Sequence, residues 1–168
     1  MVMIMKKLVQ RKKEIFYGLL FFVILLGFNY SFGFVHVHGS SMEPTILSGK
    51  VYFTNKIIYK WNSPKRFDII VFEKNNKIYI KRIIGLPGEK IEYRDNQLYI
   101  NNKLVLEGHY VRTKTNDFTV EEVTFQKRVP EKSYFVMGDN RSHSMDSRVI
   151  GFVKEEDIIG TLVYYELK

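Results

Sequence analysis

An uncharged apolar segment near the amino terminus constrains this chain more than any other feature. No Asp, Glu, Lys or Arg occurs between Ile15 and Met42, and residues 15–35 form a run of 21 mainly apolar residues. As a helix, that run spans about 31 Å, which matches the hydrocarbon core of a bilayer. We therefore predict a transmembrane anchor over residues 15–35.

Basic residues before this span predict its orientation. Glu14 is the one acid among the first fourteen residues, and five cations accompany it: Lys6, Lys7, Arg11, Lys12 and Lys13. Lys and Arg mark the cytoplasmic side of a span, so we expect residues 1–14 in the cytoplasm and residues 36–168 outside the membrane. A cleaved signal peptide is the alternative, with 31–33 (Ser-Phe-Gly) as the cleavage site. That site lacks alanine, and the apolar run is long for a signal peptide.

Composition limits the chemistry and the partners of the chain. The 168 residues include no cysteine, which excludes disulfides, thiolate catalysis and cysteine-ligated zinc. The net charge is +8, and the first fourteen residues carry +5 and −1, so the remainder keeps +4. That surplus fits a domain lying against anionic lipid headgroups. A nucleic-acid partner is the other explanation of a basic chain, but an exported domain rarely meets one and no basic stripe stands out.

Short apolar segments separated by turn residues predict a mainly β domain after the anchor. Asn and Asp tolerate left-handed backbone angles and favour hairpin turns, and they occur in pairs between these segments. Strands are predicted within residues 50–61, 66–72, 77–84, 90–93, 97–100, 103–106, 134–137 and 158–165. The polar residues 107–133 are interpreted as a surface excursion with a hairpin around 118–125. No long helix other than the anchor is predicted.

A serine follows the span in a rigid setting. The heptapeptide 39–45 reads Gly-Ser-Ser-Met-Glu-Pro-Thr, with Ser41 at its centre. Gly39 permits backbone angles that a side chain would forbid, and Pro44 fixes its own φ and restricts the residue before it. Such a corner can present Ser41 as an exposed nucleophile. An ordinary turn is the alternative, because Gly, Ser and Pro are common in turns.

Two adjacent cations interrupt a strand that is otherwise apolar. Lys81 and Arg82 lie within 78–84 (Ile-Tyr-Ile-Lys-Arg-Ile-Ile), where strand alternation makes both faces largely apolar. Either this is an edge strand whose cations reach water along their apolar stems, or one cation is paired and the other is deliberately desolvated.

A dense polar loop lies between two apolar segments near the carboxyl end. Residues 138–148 contain three serines, two aspartates, two arginines and an asparagine, and they follow the predicted strand 134–137. Density of this kind usually means a solvated loop. Because the flanking segments look like core, we predict an internal hydrogen-bonded network instead.

Together these motifs resemble those of the type I signal peptidases, which are membrane-anchored serine proteases with a Ser/Lys dyad. The order of the motifs and the preceding anchor both match, and the resemblance extends from the anchor to Val153. The short interval between the last two motifs and the single anchor resemble the compact Gram-positive form. The matching residues are Gly39-x-Ser41-Met42-x-Pro44-Thr45, Lys81-Arg82-x-x-Gly85-x-Pro87-Gly88-Glu89 and Gly138-Asp139-Asn140-x-x-x-Ser144-x-Asp146-Ser147-Arg148.

The resemblance implies a fold and a role for each of these residues. The fold would be a mainly β, barrel-like catalytic domain after one transmembrane helix. Ser41 would be the nucleophile, Lys81 its general base, and Ser144 the residue that orients the lysine amine. Bracing ion pairs are implied for Asp139, Asp146, Arg82 and Arg148. The apolar substrate pockets would be lined by Val35, Val37, Met42, Ile46, Tyr79 and Ile80. No metal or cofactor is implied.

The chemistry agrees with these roles but demands a shifted lysine pKa. A serine hydroxyl needs a neighbouring base, and a lysine with its ordinary pKa of ~10.4 is protonated at neutral pH. Lowering that pKa to about 7 costs roughly 4–5 kcal/mol of differential desolvation, which burial among apolar side chains can supply. An unpaired lysine in an apolar strand is therefore what the mechanism requires.

The sequence departs from the family pattern at two positions. Gly39 stands where the Gram-negative enzymes carry a serine that binds the oxyanion, so the Ser41 amide would need a second donor that the sequence does not identify. Phe67 stands where the family usually has glycine before Asp68. We interpret the histidines as incidental and assign no proton transfer to His143.

The sequence thus predicts a single-pass endopeptidase that removes signal peptides from exported preproteins after small residues at −1 and −3. Two alternatives stay open. One is a dedicated Ser/Lys protease with a single client, and the other is a tethered β domain that binds extended peptides without cutting them.

Overall fold

The computed structural model describes the backbone of residues 2–163 and the side chains of residues 10–163. Helix α1, Val2–Ser31, begins the chain, and its part Gln10–Ser31 is long and apolar enough to cross a membrane. The helix ends at Ser31, so residues 32–35 of the predicted span lie in the first strand instead. The side chains of Lys6 and Lys7, on which the predicted orientation partly rests, fall outside the described residues.

The remainder is mainly β, which confirms the predicted fold class. The strands are β1 Phe32–His36, β2 Val51–Asn55, β3 Ile69–Lys74, β4 Lys77–Gly85, β5 Ile91–Arg94, β6 Gln97–Ile100, β7 Lys103–Val105, β8 Phe118–Thr119, β9 Ser133–Met137, β10 Val153–Lys154 and β11 Ile158–Val163. They form two antiparallel sheets, ordered β1-β2-β11-β3-β4-β9-β10 and β7-β6-β5-β8. The larger sheet has β1 and β10 at its edges, so the described strands form open sheets and not a closed barrel.

The predicted hairpin turns are confirmed by their backbone angles. Asn75 and Asn76 have φ values of 51° and 57°, and they connect β3 to β4 with Lys74 opposite Lys77. The turns at 95–96 and 101–102 also have positive φ at both residues. Asn and Asp adopt these angles at little cost, and two such residues give the turn that matches the twist of paired strands.

Strand β4 lies between β3 and β9, so it is a central strand and not an edge. Its side chains enter three separate core clusters: Ile80 packs against the one containing Met42, Ile83 belongs to the one containing Phe72, and Ile84 to the one containing Phe135. The central position explains why both faces of the strand are apolar. It also excludes the interpretation in which Lys81 and Arg82 reach water from an edge.

The interpretation of residues 107–133 needs correction. The predicted hairpin around 118–125 is wrong, because β8 leads directly into helix α2, Val120–Thr124. Thr119 caps this helix by accepting from the Glu122 amide while the Glu122 carboxylate accepts from the Thr119 amide, a reciprocal capping box. The segment is also no mere surface excursion, since Thr115, Val120 and Val129 are all buried.

Two further boundaries differ from the sequence expectations. The predicted strand 66–72 begins only at Ile69, because Phe67 has a φ of 71°. The last strand, predicted to reach Tyr165, is described to Val163, and residues 164–168 lie outside the described residues. The polar loop 138–148 contains a short 3-10 turn, Arg141–His143, and leads into helix α3, Ser147–Ile150.

Candidate active site

Ser41 and Lys81 lie in direct contact although 40 residues separate them. Lys81 Nζ donates a hydrogen bond to Ser41 Oγ at 2.7 Å and another to the Ile80 carbonyl at 3.0 Å. Because Lys81 occupies the centre of β4, its side chain is only 4% exposed. The amine therefore has a serine hydroxyl as its neighbour instead of bulk water.

Burial changes the acidity of this lysine. Desolvation lowers the pKa of Lys81 to about 8, while the charges of Asp146 and Asp139 oppose the change by favouring the ammonium form. At pH 7 roughly one lysine in ten is then neutral, compared with fewer than one in a thousand at the ordinary pKa. Lys81 is thus poised to accept a proton near neutral pH.

The loop that follows β9 holds the backbone around Ser41. Asn140 donates its amide to the Ser41 carbonyl at 3.0 Å and its side-chain Nδ2 to the Ser40 carbonyl at 3.1 Å. On the other side, the Gly39 amide donates to Ser48 Oγ at 3.1 Å, and Gly39 has a φ of +95° that favours glycine. Ser41 is therefore fixed from both directions.

Gly138 allows this loop to approach Ser41 closely. A Cβ at Gly138 would overlap both the Ser41 carbonyl and the Ser144 hydroxyl. Ser144 Oγ is buried and has no hydrogen-bond partner among the described residues, so the expected contact that would orient the Lys81 amine is not made in this structure. The role of Ser144 stays a prediction.

A bidentate ion pair lies immediately beside the lysine. Arg82 Nε and Nη2 donate to the two oxygens of Asp139 at 2.8 and 2.6 Å, and Thr45 Oγ1 donates to the same carboxylate at 2.5 Å. Asp139 is fully buried and Arg82 is 6% exposed. Because Thr45 belongs to the Ser41 segment, this cluster connects that segment, β4 and the polar loop. Charge-assisted bidentate bonds of this kind fix geometry strongly.

A second ion pair holds the far end of the polar loop. Arg148 Nε and Nη2 donate to Asp146 at 2.8 Å each, and Nη2 also donates to the Arg141 carbonyl at 2.5 Å. Asp146 is fully buried, and it accepts the Gly138 amide at 3.0 Å. The predicted internal hydrogen-bonded network of residues 138–148 is confirmed.

The sequence reasoning missed a third charged cluster. Arg141, 2% exposed, is bound by Glu107 and donates to Tyr93 Oη at 3.0 Å and Thr115 Oγ1 at 2.6 Å. Arg141 lies inside the polar motif, which was a usable signal. Glu107 gave none, because a single acid in a polar segment looks like any surface residue.

His109 lies between two of these pairs. Its Nε2 is 3.6 Å from Glu107 Oε1 and 3.8 Å from Asp139 Oδ1, and neither ring nitrogen has a hydrogen-bond partner. Burial is the main cause that lowers the pKa of His109 to about 4, with Arg82 contributing. The imidazole is therefore neutral at physiological pH and adds no charge to the cluster.

A cleft of about 510 Å³ opens over Ser41 and Lys81. Of the six residues predicted to contact substrate, five line this cleft: Val35, Val37, Met42, Tyr79 and Ile80. The sixth, Ile46, is fully buried in the same core cluster as Val37 and Met42. Volume alone does not distinguish this cleft from other surface depressions, because one of about 520 Å³ lies against Lys132 and Lys154.

Among the described residues, no group of three or more His, Asp or Glu side chains could hold a metal.

Comparison with known proteins identifies the family. Residues 9–165 match the family model described as signal peptidase, peptidase S26. A signal peptidase I from Bacillus caldolyticus is 48% identical over 133 residues, which cover 74% of this chain and 73% of the relative. Signal peptidase I V from Bacillus subtilis (strain 168) is 42% identical over 135 residues, 75% of this chain and 80% of that one.

A solved structure agrees with these sequence matches. The crystal structure of a signal peptidase I from Enterococcus faecalis V583 is 45% identical, with a TM-score of 0.55 over 61% of this chain and 98% of that chain. The family model covers nearly the whole sequence, and the relatives match over most of their own length. The chain therefore belongs to the type I signal peptidases.

Proposed function

We propose that this protein is a membrane-anchored serine endopeptidase that cleaves signal peptides from exported preproteins, with Ser41 as nucleophile and Lys81 as general base. One observation carries the proposal, namely the 2.7 Å contact between Lys81 Nζ and Ser41 Oγ at a lysine only 4% exposed. A nucleophile within hydrogen-bond reach of a desolvated base is the arrangement that covalent catalysis needs.

The proton follows a closed path in this mechanism. Neutral Lys81 accepts the Ser41 hydroxyl proton as the oxygen attacks the scissile carbonyl, and the resulting ammonium protonates the departing amine. Ser41 is left as an ester. Lys81, neutral again, then takes a proton from water as that water attacks the ester, and returns it to Ser41 Oγ. The buried amine acts twice without exchanging protons with bulk solvent.

The surrounding ion pairs supply rigidity in this proposal. The Arg82–Asp139 and Arg148–Asp146 pairs hold β4 and the polar loop in register with Ser41. Their carboxylates also limit how far burial lowers the Lys81 pKa. Ser144, whose buried hydroxyl has no other partner, is the proposed group that orients the amine once substrate has bound. The Ser41 amide is the proposed oxyanion donor.

The cleft walls favour small substrate side chains. Val35, Val37 and Met42 form apolar walls close to Ser41, with Tyr79 and Ile80 on β4 opposite. Small residues, typically alanine, at positions −1 and −3 of the cleavage site fit shallow apolar pockets of this kind. The proposed clients are preproteins with an Ala-x-Ala sequence at that site.

The proposed topology places this cleft on the outer side of the membrane. Residues 1–14 would be cytoplasmic, residues 15–35 would form an uncleaved anchor, and residues 36–168 would form the exported catalytic domain, because cations precede the apolar span. Protease added to cells stripped of their wall should digest the domain after His36. Full protection of the domain would overturn this orientation.

Cleavage of an Ala-x-Ala preprotein in detergent tests the catalytic assignment. The wild type should convert the preprotein to mature form, and Ser41→Ala and Lys81→Arg should not, because arginine stays ionised in proteins. Arg82→Lys should keep part of the activity, since its charge can still pair with Asp139. His143→Ala, a change in the same cleft, should behave like the wild type. Appreciable cleavage by Lys81→Arg would refute the dyad, and binding without cleavage by the wild type would favour a peptide-binding domain.

A further inference from the structure

Two histidines form a close pair at the rim of the cleft, and the proposed mechanism uses neither. His36 ends β1 and His38 follows two residues later, with both side chains exposed. His36 Nδ1 lies 2.8 Å from His38 Nε2, and the two rings meet edge to face with centroids 4.3 Å apart. Alternate residues of an extended chain project to the same side, so the backbone itself brings the two rings together.

The backbone between the two histidines is fixed on both sides. The Val37 amide donates to the Lys50 carbonyl at 2.9 Å, and the Val37 carbonyl accepts from the Gly49 amide at 2.8 Å. Val37 is also buried in the core cluster of Met42 and Ile46. The pair is therefore preorganised, and a ligand that bridges the rings would not have to order a loop first.

We propose that His36 and His38 chelate a Cu²⁺ or Ni²⁺ ion, and that the bound ion blocks the catalytic cleft. Two nitrogen ligands at a right angle and about 2.0 Å from a metal lie about 2.8 Å apart, whereas a tetrahedral ion needs about 3.3 Å. The 2.8 Å separation matches the right-angled pair of square-planar Cu²⁺ or Ni²⁺ better than tetrahedral Zn²⁺. Copper also binds nitrogen ligands most tightly among the divalent first-row metals.

The ring atoms that face each other can both serve as ligands. In the metal-free pair one nitrogen donates its hydrogen to the other. If that hydrogen leaves for solvent and the distal nitrogen of the same ring is protonated instead, both lone pairs converge on one point. The metal lies to one side of the line between the two nitrogens, each exposed ring turns to aim its lone pair at the metal, and two neutral imidazoles bind it.

The other residues that line the cleft determine which class of metal ion can bind there. Among the described residues no carboxylate lines it, so Mg²⁺, Ca²⁺ and Mn²⁺ do not find the carboxylate ligands that they prefer. Water fills the remaining coordination positions. Because His36 and His38 themselves line the cleft that contains Ser41, a hydrated ion at the pair occupies space that the substrate chain needs. This blocking effect rests on the proposed function, but the binding itself does not.

Copper binding by the untagged full-length protein in detergent tests the site. The wild type should take up one Cu²⁺ that shows two-nitrogen coordination by electron paramagnetic resonance. His36→Asn and His38→Asn each leave a lone imidazole and should weaken that binding about 100-fold, because the second ligand no longer binds intramolecularly. His143→Asn is the matched control. His143 lines the same cleft, but its Nδ1 is hydrogen-bonded to Ser142 Oγ at 2.9 Å. The copper binding of this variant should equal that of the wild type.

Preprotein cleavage, with each variant normalised to its own metal-free rate, tests the blocking effect. Copper and nickel should inhibit the wild type and His143→Asn, chelator should reverse the inhibition, and the His36→Asn/His38→Asn double variant should resist it. Equal copper binding by the double variant and the wild type would overturn the site. Binding that depends on the pair but leaves cleavage unchanged would overturn the blocking effect. If the wild type binds copper with no protease activity in metal-free buffer, the proposed function fails and the site stands.

Discussion

Raising the pH from 6 to 9 should accelerate cleavage about 100-fold, because Lys81 can take a proton from Ser41 only when its amine is neutral. Burial lowers the pKa of Lys81 to about 8 from the ordinary 10.5. The neutral fraction is then about 1% at pH 6, 10% at pH 7 and 90% at pH 9. The rate should follow these fractions and level off above pH 9.

A variant that removes a charge near Lys81 should shift the midpoint of the pH–rate profile in a known direction. Damage to the fold would not produce that shift. The Asp146 carboxylate raises the pKa of Lys81 by favouring its ammonium form, so Asp146→Asn should lower that pKa further. The midpoint of the pH–rate profile should move to lower pH, even though the loss of the Arg148 pair also reduces the maximal rate. A merely structural effect would lower the rate without moving the midpoint.

The assay is the initial rate of preprotein cleavage in detergent between pH 5.5 and 10.5, at subsaturating substrate, for the wild type, Asp146→Asn and His143→Asn. His143→Asn should reproduce the wild-type profile. A wild-type midpoint above pH 10 would mean that Lys81 is not desolvated in solution. An alkaline rise that disappears in His143→Asn would make histidine the base and would refute the assignment of Lys81.

Three other changes test the surroundings of the site. Lys81→Met should abolish cleavage yet stabilise the domain by about 1–3 kcal/mol at pH 7 in denaturant titrations. The depressed pKa means that the unfolded chain binds more protons between pH 8 and 10.5, so the stability of the wild type rises across that window and its deficit disappears above it. Glu107→Gln should lower the free energy of unfolding by about 3 kcal/mol, because Arg141 would remain buried without its charge partner. Gly138→Ala should reduce kcat about 100-fold with an unchanged circular dichroism spectrum, since the added Cβ displaces Ser41. Wild-type values in any of these measurements would contradict the corresponding contact.

Local sequence was enough for the elements whose signals are local. Paired Asn and Asp residues specify hairpin turns by their backbone preferences, and most strands were located from the apolar runs near those turns, although β1 and β10 were not. The error at residues 118–125 has a similarly local cause. Thr119 and Glu122 form a capping box that starts a helix, but the neighbouring valines and phenylalanines resemble a strand.

Only part of the candidate site could be predicted from the sequence. The motifs named Ser41, Lys81 and the residues of both bracing ion pairs, because the residue types are distinctive and their order is familiar. They could not reveal that Glu107 partners Arg141, or that Ser144 makes no contact with the lysine amine. The departure from glycine at Phe67 put the local turn in question, and only the structure shows that Phe67 itself adopts the left-handed backbone that glycine would otherwise provide.

The sequence by itself determined the apolar span, the turns, the mainly β class and which side chains are proposed to react. Only the tertiary structure shows that the Lys81 amine is buried beside Ser41, as a base in the proposed mechanism must be. Its pKa depends on burial in the centre of the larger sheet and on the carboxylates of Asp146 and Asp139, which lie in the polar loop after β9. Desolvation and charge act through distance in space, and no local pattern along the chain records which distant segments pack around one amine.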